Sequence, residues 1–278
     1  INKGIAREIV QECVKRNGAS ELWESNKTPG VVIDPEIFEL VCIEMLQREN
    51  VQILLHAMVA DIHKNGDFID AVTIESKWGR QAIKTKAVVD CTGEADIVYM
   101  AGAPIKFTNQ GNTASMLFRM GNVDIDKFVE YVVENDEFCD KTDFPVSVDD
   151  FYNNWKNKGF LFFPHSGGET FKLIQEQIKK GKYSKRFGKA KRLDAFGMYA
   201  LKGRPVTINS NFFDITQADF NIVSFTELEI EAKKACRYAA DFLTAYVPGF
   251  ENSYMLTSGG SLGIRRSRLI DTGFSFTT

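Results

Sequence analysis

The sequence predicts an α/β protein in two parts. In the first, two helices lead into a three-stranded antiparallel meander and a short buried strand, and the second is an inserted α+β segment. Three observations carry that reading. The hydrophobic period changes from helical to alternating near Val51, an Asn65-Gly66 pair marks a tight turn between alternating runs, and the texture beyond Pro104 becomes aromatic-rich and less periodic.

The elements follow in order. Ile5-Ala6-Arg7-Glu8-Ile9-Val10 through Val14 repeats apolar residues at helical spacing and stops near Asn17-Gly18, residues suited to the left-handed turn that closes helices. Asp34-Pro35-Glu36 reads as N-cap, first-turn proline and first-turn acid of a second helix carrying Ile37, Leu40, Val41, Met45 and Leu46. Val51-Gln52-Ile53-Leu54-Leu55 reads as a short apolar strand. The meander then takes Met58 to Ile62, Ile69 to Ile74 and Gln81 to Lys84, with Lys77-Trp78-Gly79 as its second turn. It feeds Ala87-Val88-Val89-Asp90, a short apolar run bounded by Thr92-Gly93, which predicts a buried parallel strand ending at a ligand crevice. In the second part, Phe151-Tyr152, Trp155 and Phe160-Leu161-Phe162-Phe163-Pro164 read as core aromatics. An amphipathic helix from Thr226 to Tyr246 buries Leu228, Ala232, Ala235, Ala239, Phe242 and Leu243 and stops at Pro248-Gly249. The stretch from Leu256 to Thr278 has no closing feature, and the chain reads as cut at both ends.

Composition narrows the function classes. At 278 residues, 44% hydrophobic and 26% charged, the chain is long enough for a sizeable core, and its net charge of -3 gives no drive toward nucleic acid or an anionic membrane. Cys13, Cys42, Cys91, Cys139 and Cys236 are odd in number and form no C-x-x-C pair, so reduced thiols and a cytoplasmic location are expected. Asn26-Lys27-Thr28 matches a glycosylation acceptor, a pattern too short to weigh in a protein not known to be secreted.

The run Val88-Val89-Asp90-Cys91-Thr92-Gly93-Glu94-Ala95-Asp96, followed by Ala101-Gly102-Ala103-Pro104, resembles the FAD-dependent oxidoreductase family of the glutathione-reductase-like flavin fold. Asp34-Pro35-Glu36, Ser115-Met116-Leu117-Phe118-Arg119, Pro248-Gly249-Phe250-Glu251-Asn252 and Gly263-Ile264-Arg265-Arg266-Ser267-Arg268 match the same family in order. The resemblance implies a partial FAD/NAD(P)-binding Rossmann-like domain over residues 1–104 that contains the meander. It also implies an inserted α+β substrate or cap domain over 105–258 and a return to the flavin domain over 259–278. It places the backbone near Val59 beside the adenine, brings Thr92 and Gly93 to the dinucleotide from the end of their strand, and makes Asp96 a cofactor contact or a helix cap. Small residues suit that approach because a side chain would collide with the cofactor. Two departures stand out: Glu94 and Arg266 replace the family's usual Asp and Glu. No G-x-G-x-x-G occurs anywhere, so the pyrophosphate cradle is expected upstream and the fragment alone is expected to be inactive.

Competing motifs are weaker. Gly259-Gly260-Ser261-Leu262-Gly263 satisfies G-x-S-x-G, yet His56, His63 and His165 all precede Ser261, against the chain order of a hydrolase of that type. Those histidines lack metal-ligand spacing, and no metal is expected. The basic cluster Lys179, Lys180, Lys182, Lys185, Arg186, Lys189, Lys191 and Arg192 reads as a solvated surface balanced by an acidic stretch from Asp124 to Asp150. Arg265 and Arg268 are the candidate catalytic residues, because a guanidinium there can hold a substrate carboxylate or stabilise charge on the reduced cofactor; the alternative is a surface salt bridge. The resulting expectation is an enzyme using FAD for hydride transfer with a small-molecule substrate, without nucleic-acid or membrane partners. A homo-oligomer or an electron-transfer partner is left open. The alternative is a non-catalytic remnant or ligand-binding module that keeps the fold without FAD.

Overall fold

A computed structural model describes residues 4–21, 30–107, 113–137, 146–163, 171–265 and 267–271. The glycosylation acceptor at Asn26, and also Cys139, Pro164, His165, Arg266 and the chain end from 272, lie outside the described residues.

Helix α1 (Ile5–Lys15) ends as the sequence predicts, with Asn17 in the left-handed region at φ 53°. Helix α2 (Pro35–Arg48) starts on Asp34, whose carboxylate accepts the Glu36 N–H at 3.0 Å. The meander follows as β1 (Ala57–Asn65), β2 (Phe68–Ser76) and β3 (Gly79–Lys84), paired antiparallel in sequence order. Gly66 at φ 62° and Gly79 at φ 100° supply the left-handed turn positions that a side chain resists.

Two expected strands do not form. Residues 51–55 have no strand assignment, with Leu54 and Leu55 exposed. Residues 87–90 have none either, and Val89 is 83% exposed where a buried parallel strand was expected. The reason is partnership: a parallel strand is stable only with hydrogen-bonded neighbours and helices on both faces. Every strand pair among the described residues is antiparallel. An apolar run records an affinity for burial, and here nothing among the described residues covers it.

Helix α3 (Asp96–Met100) and the short strands β4 (Ile105–Phe107), β5 (Thr113–Ser115) and β6 (Phe118–Gly121) lead into the second part. Helices α4 (Ile125–Glu134) and α5 (Val148–Lys156), strand β7 (Phe160–Phe163) and helix α6 (Lys172–Lys179) come next. They are followed by β8 (Gly197–Leu201), β9 (Val206–Asn209), β10 (Phe213–Asp214), the long helix α7 (Ile222–Tyr246) and the strands β11 (Tyr254–Ser258), β12 (Gly263–Ile264) and β13 (Arg268–Ile270). A five-stranded antiparallel sheet of order β11-β6-β9-β8-β7 carries the main core. Phe128 meets Phe163, Phe171 and Phe250 edge to face within it, the arrangement that aromatic quadrupoles favour. Helix α7 begins a turn earlier than predicted, because Asn221 caps it by accepting the Ser224 N–H at 3.0 Å. All six predicted stripe residues are buried.

The chain then returns. Strand β12 pairs with β5, and β13 pairs with β4, so Gly263–Ile264 and Arg268–Ile270 lie beside the segments that led out of the first part. Arg204 in the β8–β9 turn reaches back to the buried Asp34 at 3.1 Å, tying the N-terminus of α2 to the large sheet.

Candidate functional site

The meander, helix α3 and the returning strand β13 enclose a cavity of about 630 Å3 lined by Ala57, Met58, Val59, Thr92, Asp96, Tyr99, Met100 and Arg268. Three of the predicted cofactor contacts, Val59, Thr92 and Asp96, meet there with the predicted catalytic Arg268. Gly93 is adjacent in sequence but does not line the cavity, and Arg265 lies elsewhere.

Local hydrogen bonding explains how the segment reaches the cavity. Asp90 accepts from the Thr92 N–H at 2.9 Å, from the Thr92 hydroxyl at 2.7 Å and from the Val98 N–H at 3.0 Å. Burial alone would raise the Asp90 pKa, but these hydrogen bonds from Thr92 and Val98 outweigh it and hold the carboxyl below its ordinary value. The Thr92 hydroxyl in turn accepts from the Asp96 N–H at 2.9 Å. Thr92 and Asp90 therefore cap helix α3 between them. The alternative reading of Asp96 as a helix cap is corrected: Ala95 occupies the N-cap position at φ 54°, and no capping bond comes from a side chain at that position.

Asp96 has a different partner. Its carboxylate sits 2.6 Å from Arg268 Nη1, which also donates to the Glu94 carbonyl at 3.3 Å. The Arg268 guanidinium packs over the Tyr99 ring, 4.5 Å from its centroid, while its Nε is buried without an acceptor. The Glu94 carboxyl is pushed up by burial, against the opposing influence of Ser267 and Arg268. Gly93 adopts φ 87°, and a Cβ there would meet no protein atom within 4 Å. Its glycine requirement is thus one of backbone conformation and not of crowding by the protein.

Sequence reasoning did not assign Asp90 a role beyond its place in a strand. The signal was an Asp-x-Thr spacing, which favours a side chain bonding to the backbone two residues on.

The competing motifs resolve on the same geometry. Ser261 is exposed in a loop that runs into strand β12, whereas a nucleophile elbow joins a strand to a helix. Among the described residues no group of three metal-ligating side chains converges. Much of the basic cluster is paired, Lys180 with Glu176, Lys185 with Asp194, Lys189 with Glu227 and Lys191 with Asp214. These partners replace the acidic stretch from Asp124 to Asp150 as its balance.

The cavity's size and composition suit part of a nucleotide. Its lining combines apolar surface from Met58, Tyr99 and Met100 with the cationic Arg268. With no G-x-G-x-x-G in the sequence, the fit is to one flank of a dinucleotide, not to its pyrophosphate.

The FAD dependent oxidoreductase family model matches residues 1–278, and the chain belongs to that family. FAD is its cofactor. No curated protein matches the sequence. Among solved structures, a triple mutant of the flavin-dependent brominase Bmp2 overlaps with a TM-score of 0.47 at 10% identity, covering 88% of this chain and 47% of that one. The p-nitrophenol 4-monooxygenase PnpA from Pseudomonas putida DLL-E4 gives 0.44 at 10% identity, with 87% and 44% covered. The chain spans less than half the length of either structure. No helix among the described residues is long and apolar enough to cross a membrane.

Proposed function

We propose that this chain supplies one flank of the FAD site and the substrate-shaping part of an oxidoreductase that transfers hydride between a small molecule and the flavin. In this reading residues 1–104 and 259–278 belong to a Rossmann-like flavin domain, and 105–258 form the cap. The observation that carries it is the convergence of Val59, Thr92, Asp96 and Arg268 in one cavity, from segments far apart in sequence, in a chain of this family.

The hydride chemistry is the cofactor's, and the protein supplies binding, orientation and electrostatics. Asp90 fixes Thr92 and the first turn of α3, so that the cavity wall is set before any ligand arrives. Asp96 and Tyr99 hold Arg268 in one orientation, so that its positive charge is fixed beside the cavity. Met58, Tyr99 and Met100 give that side of the cavity apolar surface for a ligand to cover.

The test is the colour of the purified protein carrying this sequence. A flavoprotein is yellow, and its visible absorbance bleaches under a reductant and returns on reoxidation. A colourless protein that takes up no flavin on refolding with FAD would instead favour the ligand-binding alternative.

A further inference from the structure

A second cavity, of about 450 Å3, opens at one end of the large sheet and shares no lining residue with the Arg268 cavity. Three adjacent strands reach it by one end each: β11 through Tyr254, β6 through Gly121 and β9 through Pro205, which precedes it. The β8–β9 turn, the first turn of α4 and Trp155 of α5 complete the wall. Its volume lies in the range of small-molecule sites.

The aromatic part of the wall is held in place. Tyr254 stands directly opposite Gly121 in the β11–β6 register, and a Cβ at Gly121 would come within 2.9 Å of the Tyr254 ring. The ring therefore lies across bare glycine backbone, a close approach that a side chain there would prevent. Tyr254 nevertheless stays 57% exposed, so much of its ring is left for a ligand to cover, and Leu256 beside it is 46% exposed.

The charges in the wall are unequally engaged. Asp126 accepts from Lys156 at 2.6 Å and from Trp155 Nε1 at 3.1 Å, and these bonds, that of Lys156 first, hold its carboxyl below its ordinary value against the effect of burial. Asp124 accepts the Lys127 N–H at 3.0 Å as the cap of α4, and Arg204 Nε is paired with Asp34. Lys202 has no ion-pair partner among the described residues and acts on Asp126 only through space. A cationic ligand would thus meet acids that already have partners. An ammonium without a counter-ion, next to an exposed ring and an apolar rim, is complementary to a carboxylate carried on an aromatic ring.

We propose that this cavity binds a small aromatic carboxylate, with its ring against Tyr254, Leu256 and Pro205 and its carboxylate on the Lys202 ammonium. The site does not rest on the flavin reading, and a colourless protein can still bind here.

The experiment is an NMR titration of the full chain at constant pH and ionic strength, following the indole N–H of Trp155, which lines the cavity. Benzoate is the probe, with acetate as the anion lacking a ring and benzylamine as the ring carrying the opposite charge. Benzoate should saturate, and the other two should not. Lys202→Gln should weaken benzoate binding by about tenfold, as loss of one charged hydrogen-bonding partner does. Tyr254→Ala should weaken it by about threefold to tenfold, the range of one aromatic contact. Lys182→Gln, outside the cavity, should leave it unchanged. Acetate binding as tightly as benzoate, benzylamine saturating at lower concentration, benzoate failing to saturate, or equal affinity in all three variants would each overturn the site.

Discussion

The stretch from 36 to 107 and the stretch from 114 to 262 have similar appetites for burial and satisfy them differently. Apart from Val32, every member of the main core cluster lies between Ala114 and Leu262. The earlier stretch leaves Phe38, Leu40, Leu46, Leu55, Met58, Phe68, Trp78, Val89 and Tyr99 exposed. Apolar composition is therefore not what separates the two regions. The later region folds its strands back on one another antiparallel and closes helices over them, completing a core from its own residues. The earlier one offers apolar faces that the described residues leave uncovered. Uncovered apolar surface on this scale is what proteins use to meet a ligand, a further segment or a partner.

The largest effect that tests this contrast comes from deleting the same side chain in the two regions. Phe128→Ala removes a fully buried ring packed on three others and should cost about 3–5 kcal/mol. Phe68→Ala removes a ring that is 79% exposed, and the change should stay within about 0.5 kcal/mol. Denaturant midpoints measure both. Equal costs would mean that the meander buries its aromatic residues in solution.

Next is the cavity. Arg268→Ala removes the partner of Asp96 and the positive charge lining the site, so FAD affinity, followed by flavin fluorescence quenching, should fall by about tenfold. Arg265→Lys should instead spare flavin binding and lower turnover; turnover equal to that of the parent would remove Arg265 from the reaction.

A smaller effect is expected at Asp90. Asp90→Ala should cost about 1 kcal/mol, as loss of a helix cap does. The pH dependence has a definite sign. Because the folded pKa lies below 3.8, the stabilisation is present above that value and is lost as pH falls through the folded pKa. Acid titrations of the parent and the variant should converge below it.

Last is Cys236, whose thiol donates toward the Met116 carbonyl in the core and whose pKa is pushed up to about 12 by burial. A raised folded pKa gives stability that is complete below the ordinary 9.0 and declines as pH rises toward 12. Cys236→Ala should flatten that alkaline decline, as read by melting temperature against pH.

The parts legible in the sequence are those decided within a few residues. Asp34-Pro35 announces the start of α2 because capping is a bond over two positions, and the α7 stripe is visible because helical spacing repeats locally. The meander is legible for the same reason, through alternation and the Asn65-Gly66 turn. Residues 51–55 and 87–90 misled because strand pairing, parallel pairing at 87–90 above all, depends on neighbours that local pattern does not reveal. At the candidate site, Val59, Thr92 and Asp96 were named through family order and Arg268 through guanidinium chemistry, while the Arg268–Asp96 ion pair spans too much sequence to read from spacing.

Hydrogen exchange with and without FAD tests the central claim most directly, because it reads both regions in one experiment. The Asp90-organised cavity predicts that FAD slows exchange at residues 57–59, 90–100 and 268–270, while the already protected strands β6, β8 and β9 change little. Unchanged exchange at 57–59 and 90–100, with new protection only in the large sheet, would contradict it.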